Sequence, residues 1–536
     1  MKNKNLQVWF PFFFSLSMIA GMFLGYQLHQ KMPWAGGLLQ STSRGQLQEV
    51  LDLVKGRYVD DVNTDSLRES AIDEMLSHLD PHSLYIPAKE LSAVNEDLAG
   101  KFEGIGVEFN IFEDTVHIIT VLKDGPSDRA GLKAGDQLVA VEGKSIAGKK
   151  IQSDDVKALL KGPSKSTVKV AIRRGTKIID FSIQRGFIPL YALDASYMLD
   201  SSSGYIRINK FSETTYEEFM EALEKLQARG MNQLVLDLRD NGGGILNEAV
   251  EMADEFLAGE KLIVYTEGKH NPRREYKCRR RGLFETGTLI LLMNEGSASA
   301  SEVLAGALQD WDRAVVVGRR SFGKGLVQEQ YSLSDGAALR LTVARYYTPL
   351  GRSIQKSYDH GRDVYRNEIG QRIHDGMNGV KDTAQVSAKT YKTTEGKILY
   401  DGGGITPDEV VSIDTTGSTV LLSGLYAKNT LGRFVYRYYV AHNDQFLPYQ
   451  KPSDFTRSFK VTEPVFQDFL SFARKDSISL QSLSGRDRLF LEQRLKSLFA
   501  RQLWRTEGYF EVSNAEDPMI TKAIDIIRRG ASATRK

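Results

Sequence analysis

Cysteine is nearly absent. The one thiol in 536 residues, Cys278, excludes an intrachain disulfide and leaves no cysteine pair for a structural metal site. It lies in Lys277-Cys278-Arg279-Arg280-Arg281, which reads as a solvated loop, and the nearest histidine in sequence, His270, is not at metal-ligand spacing. Net charge is also nearly absent. Seventy basic and 68 acidic residues leave +2, so no strong field points to nucleic acid or to an anionic membrane surface. Long apolar runs are missing except at the N-terminus. The chain is 41% hydrophobic and 26% charged, a balance that suits several globular domains.

The exception runs from Val8 to about Leu28 without a charged residue, behind Lys2 and Lys4. About 20 apolar residues span a bilayer, and flanking lysines favour a cytoplasmic start. The expectation is a transmembrane anchor with the body outside the cytoplasm, in a bacterial periplasm. A cleaved signal peptide is the alternative; no Ala-x-Ala site follows the run, so an uncleaved anchor is favoured.

Chemistry concentrates further on. Thr288-Leu289-Ile290-Leu291-Leu292-Met293 is a short unbroken apolar run, as expected of a strand buried on both faces. Asn294-Glu295-Gly296-Ser297-Ala298-Ser299-Ala300-Ser301-Glu302 follows, and then an amphipathic stretch. Ser299 three residues before Glu302 is a capping box, so the reading is strand, tight turn and helix, with Ser299 at the helix N-terminus. A hydroxyl there has free backbone N–H groups and the positive end of the helix dipole beside it, features that stabilise an oxyanion. Taken alone, a helix cap is the better explanation of Ser299.

Gly318-Arg319-Arg320-Ser321-Phe322-Gly323-Lys324-Gly325-Leu326-Val327-Gln328 changes the balance. Together the two stretches resemble the carboxyl-terminal processing peptidases, or tail-specific proteases, over about Val50 to Val410. The resemblance implies a serine–lysine pair, Ser299 and Lys324, with Gln328 assisting the lysine. It also implies an α/β core of crotonase-like fold. Leu79-Asp80-Pro81-His82-Ser83 and Thr348-Pro349-Leu350-Gly351-Arg352-Ser353-Ile354-Gln355 match further family signatures. Gly242-Gly243-Gly244 resembles the family's glycine motif, where a backbone N–H helps hold the oxyanion. Gly243 is the best single candidate there, with Gly242 and Gly244 near ties, and Ala300 gives the second N–H.

Lys101 to about Gly186 is similar to a PDZ domain. Gly104-Ile105-Gly106-Val107 is the candidate loop whose N–H groups meet a peptide carboxylate, and the helix over Asp154–Leu160 supplies the other wall of the groove. Strand–helix alternation from Leu190 argues for an α/β unit. Tyr358 to about Lys397 is polar and aperiodic and reads as an insertion or mobile loop. Amphipathic helices over Val465–Phe472, Arg486–Leu498 and Ile520–Ile527 form an appendage with no legible role.

The expected organisation is multi-domain α/β: a membrane segment (1–28), N-terminal helices (29–100), a PDZ domain (101–187), the protease core (188–418) and a helical appendage (419–536). Several other readings fail on particular residues. Gly318–Gly325 nearly matches a Walker A loop, but Gly325 replaces the required Ser or Thr and a strand follows. Ser321-x-x-Lys324 lacks the companion Ser-Asp-Asn and Lys-Thr-Gly motifs. His78 and His82 are four apart, but Pro81 between them ends the helix, leaving a helix-end and a turn histidine. A His-based triad is disfavoured because the histidines nearest Ser299 in sequence are His270 and His360. The expectation is therefore a serine endopeptidase acting on proteins with accessible C-terminal tails. It needs no cofactor, metal or nucleic acid; a homo-oligomer or an adaptor is left open. An inactive PDZ scaffold for protein C-termini and a crotonase-like thioester hydrolase are the rivals.

Overall fold

The computed structural model describes residues 9, 13–23, 45–377, 389–413, 420–480 and 483–533. The chain divides into two compact units, Met1–His78 and Leu79–Lys536. In the first, residues 13–23 are helical. Among the described residues no helix is long and apolar enough to cross a membrane. Of the expected membrane segment, residues 1–8, 10–12 and 24–28 lie outside those described. The expected N-terminal helices include Gln46–Arg57 and Thr64–Ser77. Asn63 starts the second one, its side chain accepting from the N–H groups of Asp65 and Ser66 at 3.0 and 3.1 Å.

The second unit is built on a six-stranded sheet. Leu193–Met198 pairs antiparallel with Ser203–Ile208. Gln233–Asp237, Thr288–Met293, Val315–Gly318 and Glu409–Val410 then follow in parallel. Side chains alternate between its faces, as the strand period of two requires. Leu234, Leu236, Leu289, Leu291, Met293 and Val316 pack into one core with the helices Thr215–Ala228, Leu246–Asp254 and Ala300–Asp310. Val235, Ile290, Leu292 and Val317 face the other way, onto Met519, Ile520, Ala523 and Ile527. Those four belong to the last helix, Pro518–Ala533. The end of the expected appendage therefore covers the back of the protease sheet. Its remaining helices hold a separate aromatic-rich core that includes Phe434, Phe446, Phe455, Phe469 and Phe499.

A smaller sheet carries Leu326–Ser332 against Ala338–Tyr347, which also pairs with Leu84–Ile86 and Leu262–Glu267. The PDZ domain enters and leaves the core through one ladder, Lys101–Gly104 against Gly186–Pro189. Inside it, the strands Val107–Phe112, Thr115–Val121, Gln137–Val141, Thr167–Arg174 and Lys177–Gln184 lie in that order, so Val107–Phe112 is an edge. Ser153–Leu160 is the helix expected beside it.

Two expectations change. Cys278 is buried in the main core, not solvated, and burial pushes its thiol up to about 12. Within the segment expected to be irregular, Arg362–Met377 is a helix and Thr390–Lys392 pairs with Ile398–Tyr400; residues 378–388 lie outside those described. The Arg362–Met377 helix lacks an apolar stripe. Polar anchors hold it: Arg372 donates to the carbonyls of Arg320 and Ser321, and Glu368 pairs with Lys356 and Arg372.

Ile520 is 2% exposed, and truncating a buried isoleucine costs about 2–5 kcal/mol. Ile520→Ala should therefore lower the unfolding midpoint of the protease sheet in urea, followed by hydrogen exchange at Val235 and Ile290. Protection unchanged at those strands would show that the last helix is dispensable to the core.

Candidate active site

The strands Gln233–Asp237, Thr288–Met293 and Val315–Gly318 are parallel, so the turns after them open on one edge of the sheet. In open parallel sheets, sites form outside these carboxyl ends. The three turns carry Gly242–Gly244, Ser299 and Lys324, so the structure brings the expected site residues together.

Asn241 binds the first turn to the second. Its carbonyl accepts from Ala298 N–H and from Ser301 Oγ, both at 2.9 Å. Ser297 Oγ donates to the Leu238 carbonyl at 2.8 Å. Ser297 and Ser301 are fully buried structural hydroxyls. Ser299 differs. It is half-buried and sits ahead of the Ala300–Asp310 helix at φ 54°, ψ −114°, a region side chains avoid. Gly243 permits the tight approach beside it. A Cβ on Gly243 would lie 2.7 Å from the Ser299 Cβ and 2.9 Å from Ala300 N. The Gly243 N–H donates to Asn241 Oδ1 at 2.9 Å, whereas among the described residues the Ala300 N–H has no protein acceptor.

Glu302 is fully buried and takes four donors. One carboxylate oxygen, Oε2, accepts from both Ser299 N–H and Lys324 N–H at 2.8 Å. The other accepts from Gly323 N–H at 2.7 Å and Ser321 Oγ at 2.5 Å. Burial pushes this carboxyl up to about 7, against the four donors, which favour the anion. The Tyr346 hydroxyl contacts the carbonyl oxygens of Ser299, at 3.0 Å, and Lys324. Serine and lysine segments are thus joined twice through shared atoms.

Lys324 Nζ donates to Gln328 Oε1 at 3.0 Å, and Gln328 Nε2 donates to the His82 carbonyl at 2.6 Å. A carbonyl only accepts, so this bond fixes the amide with its oxygen toward the lysine. Burial lowers the Lys324 pKa and the charge of Arg340 lowers it further, while Glu302 and Asp80 oppose. Among the described residues no carboxylate forms an ion pair with Lys324. His82 donates or accepts at Tyr365 OH, 2.7 Å away, and burial holds its ring near 4, neutral at physiological pH. From the sequence, His82 is a turn residue within a family signature and Glu302 a helix cap, and no local pattern marks Tyr346.

In the PDZ domain, Gly104 ends a strand, Ile105 and Gly106 form the loop, and Val107 starts the edge strand. Gly106 has φ +74°, and a Cβ there would crowd Ile188 at 3.1 Å. Ile105 and Gly106 are buried, yet among the described residues their N–H groups donate to no protein acceptor.

Fold and site define a serine peptidase with an inserted PDZ domain. The sequence matches peptidase family S41 over residues 202–362 and the PDZ domain over 117–174; residues 421–505 match a family of unknown function. It is 34% identical over 313 residues to a carboxy-terminal-processing protease of Bartonella bacilliformis, covering 57% of this chain and 71% of that one. It is 37% identical over 305 residues to a probable CtpA-like serine protease of Staphylococcus haemolyticus, covering 56% and 60%. Among solved structures, the photosystem II D1 C-terminal processing protease is similar, with 26% identity, a TM-score of 0.35 and coverage of 72% and 98%. The chain belongs to the carboxy-terminal processing proteases of peptidase family S41 and is a serine protease.

The charges around Lys324 give a signed test. In the folded protein Lys324 should titrate below the value of about 10.4 for a free lysine. Glu302→Gln removes a charge that favours the ammonium and should lower the pKa further; Arg340→Ala removes an opposing charge and should raise it. NMR of 13C-labelled lysine across pH reads all three. A Lys324 signal titrating near 10.4 in each protein would contradict this electrostatic description.

Proposed function

We propose that this protease works through a Ser299–Lys324 dyad and takes its substrates by their C-terminal tails. The observation that carries the reading is the shared Glu302 oxygen, which fixes the serine and lysine backbones beside each other while, among the described residues, Lys324 Nζ donates to a neutral acceptor, Gln328. Neutral Lys324 takes the proton of Ser299 Oγ as that oxygen attacks the peptide carbonyl. The Ala300 N–H and the Gly242–Gly244 turn hold the oxyanion; Gly243 packs on Ser299, and its own N–H would have to leave Asn241 Oδ1 to take part. The lysine ammonium then protonates the leaving amine. Water, deprotonated by the same lysine, hydrolyses the acyl ester. Gln328 orients the base.

Tail capture rests on the buried unpaired N–H groups of Ile105 and Gly106 beside the free edge of Val107–Phe112. A terminal carboxylate would accept from the loop while the peptide adds as a further strand. The apolar run behind Lys2 and Lys4 supports a membrane-anchored protein with its catalytic body outside the cytoplasm.

Ser299→Ala should cut hydrolysis of a tail peptide by at least about 10⁴-fold while binding persists. Ser297→Ala and Ser301→Ala should stay active but less stable, since each leaves a buried carbonyl short of a donor. Activity should rise with pH along the titration of Lys324, and Lys324→Arg should be dead because guanidinium does not deprotonate. Near-wild-type cleavage by Lys324→Arg would exclude the lysine as base. Converting the peptide terminus to an amide should reduce cleavage, and a bulky residue at Gly106 should do the same. Equal cleavage of acid and amide would refute tail capture. Binding without cleavage by the unsubstituted protein marks an inactive scaffold, and preference for an acyl thioester marks the third reading.

Anchoring is tested by fractionation. The full-length chain should sediment with membranes at its unprocessed length, and a chain starting near Gln40 should be soluble and active. A mature N-terminus after residue 20 would establish a cleaved signal peptide instead.

A further inference from the structure

The PDZ groove has a third wall. A cavity of about 760 Å³ is lined by the carboxylate loop, by the Ser153–Leu160 helix and by two helices of the C-terminal region. Those two are Thr430–Ala441, through Val435 and Tyr436, and Gly485–Ser513, through Leu498, Arg501 and Gln502. The wall is fastened to the PDZ domain. Gln502 Nε2 donates to the Ile119 carbonyl at 2.8 Å, Arg505 pairs with Glu108 at 2.7 Å, and Arg437 pairs with Glu113 at 2.6 Å. The Tyr436 ring meets the rings of His117 and Phe112 with centroids 5.7 Å apart in each case.

Charge around the cavity is almost entirely compensated. Glu96 pairs with Lys161, Asp97 with Lys210, Glu108 with Arg505 and Lys157 with Asp154. Arg501 is the exception. It is exposed, it lines the cavity, and among the described residues its side chain has no ion pair and no hydrogen bond. The terminal carboxylate of a bound tail already has donors in the Ile105 and Gly106 N–H groups. A second anionic group on the same peptide would therefore meet Arg501, whose planar guanidinium suits a carboxylate.

We infer that the C-terminal helices form part of the tail-binding site and that Arg501 selects tails carrying an acidic side chain upstream of the terminus. The inference rests on tail capture by the PDZ loop. It makes the C-terminal region a specificity element: a PDZ domain separated from it would bind termini without this selection.

Binding to the full-length Ser299→Ala protein tests it without turnover. Fluorescent peptides with a free terminus would carry glutamate or glutamine at each upstream position in turn, and each would be prepared as acid and as amide. At one position glutamate should bind about two- to five-fold tighter than glutamine, the range of an exposed ion pair. The ratio should fall toward one in 0.5 M salt. Arg501→Ala should bind the two alike, and Arg501→Glu should reverse the order. A glutamate preference that survives Arg501→Ala overturns the inference, as does the absence of a preference at every position. If amides bind as well as acids while Arg501 still sets the order, terminal capture by the loop is wrong and the subsite stands. If no peptide binds, both fall.

Discussion

The buried carboxylate of Glu302 holds the site in one piece. It sits in the first turn of the Ala300–Asp310 helix and bonds to the loop that follows the next parallel strand. One oxygen serves the N–H of Ser299 and the N–H of Lys324 alike. An ionised carboxylate accepts and never donates, so four converging donors match it and a neutral side chain of similar size cannot. Burial opposes the charge, which makes the arrangement costly unless every donor is in place. Ser321 completes the ring by accepting from Ile405 N–H at 2.6 Å while donating to Glu302.

A second polar network ties the back of the sheet to the end of the chain. Asp237 is fully buried and accepts from Arg207, Arg239 and Tyr205, and these bonds hold its carboxyl well below the usual range against burial. Arg239 also reaches Asp517, immediately before the last helix. The Arg207 guanidinium lies 4.4 Å from the ring centre of Phe510. Residues more than 270 positions apart therefore share one ion cluster. A C-terminal segment whose sequence suggests a helical appendage with no legible role is in this way structural to the catalytic sheet.

What the sequence disclosed followed from local periodicity. Thr288–Met293 is a strand at its expected bounds, because an unbroken apolar run reports burial directly. The spacing of Ser299 and Glu302 gave the helix start and singled out one serine of three. Residues that act over long separations were invisible. The Gln328 amide is fixed by the His82 carbonyl, 246 positions away, and no local pattern encodes that pairing. The Arg362–Met377 helix escaped because polar bonds to Arg320, Ser321 and Lys356 hold it in place of an apolar face. The pairing of the PDZ groove with the C-terminal helices was hidden for the same reason.

The backbone of Ser299 has an implication for how such a protein tolerates change. Its φ and ψ belong to territory that glycine occupies freely and that costs other residues about 1–3 kcal/mol. Glycine at this position would relieve that strain and erase the nucleophile in the same step. Stability and activity are thus opposed at a single residue, and selection for a more heat-resistant chain alone would drift toward an inert one.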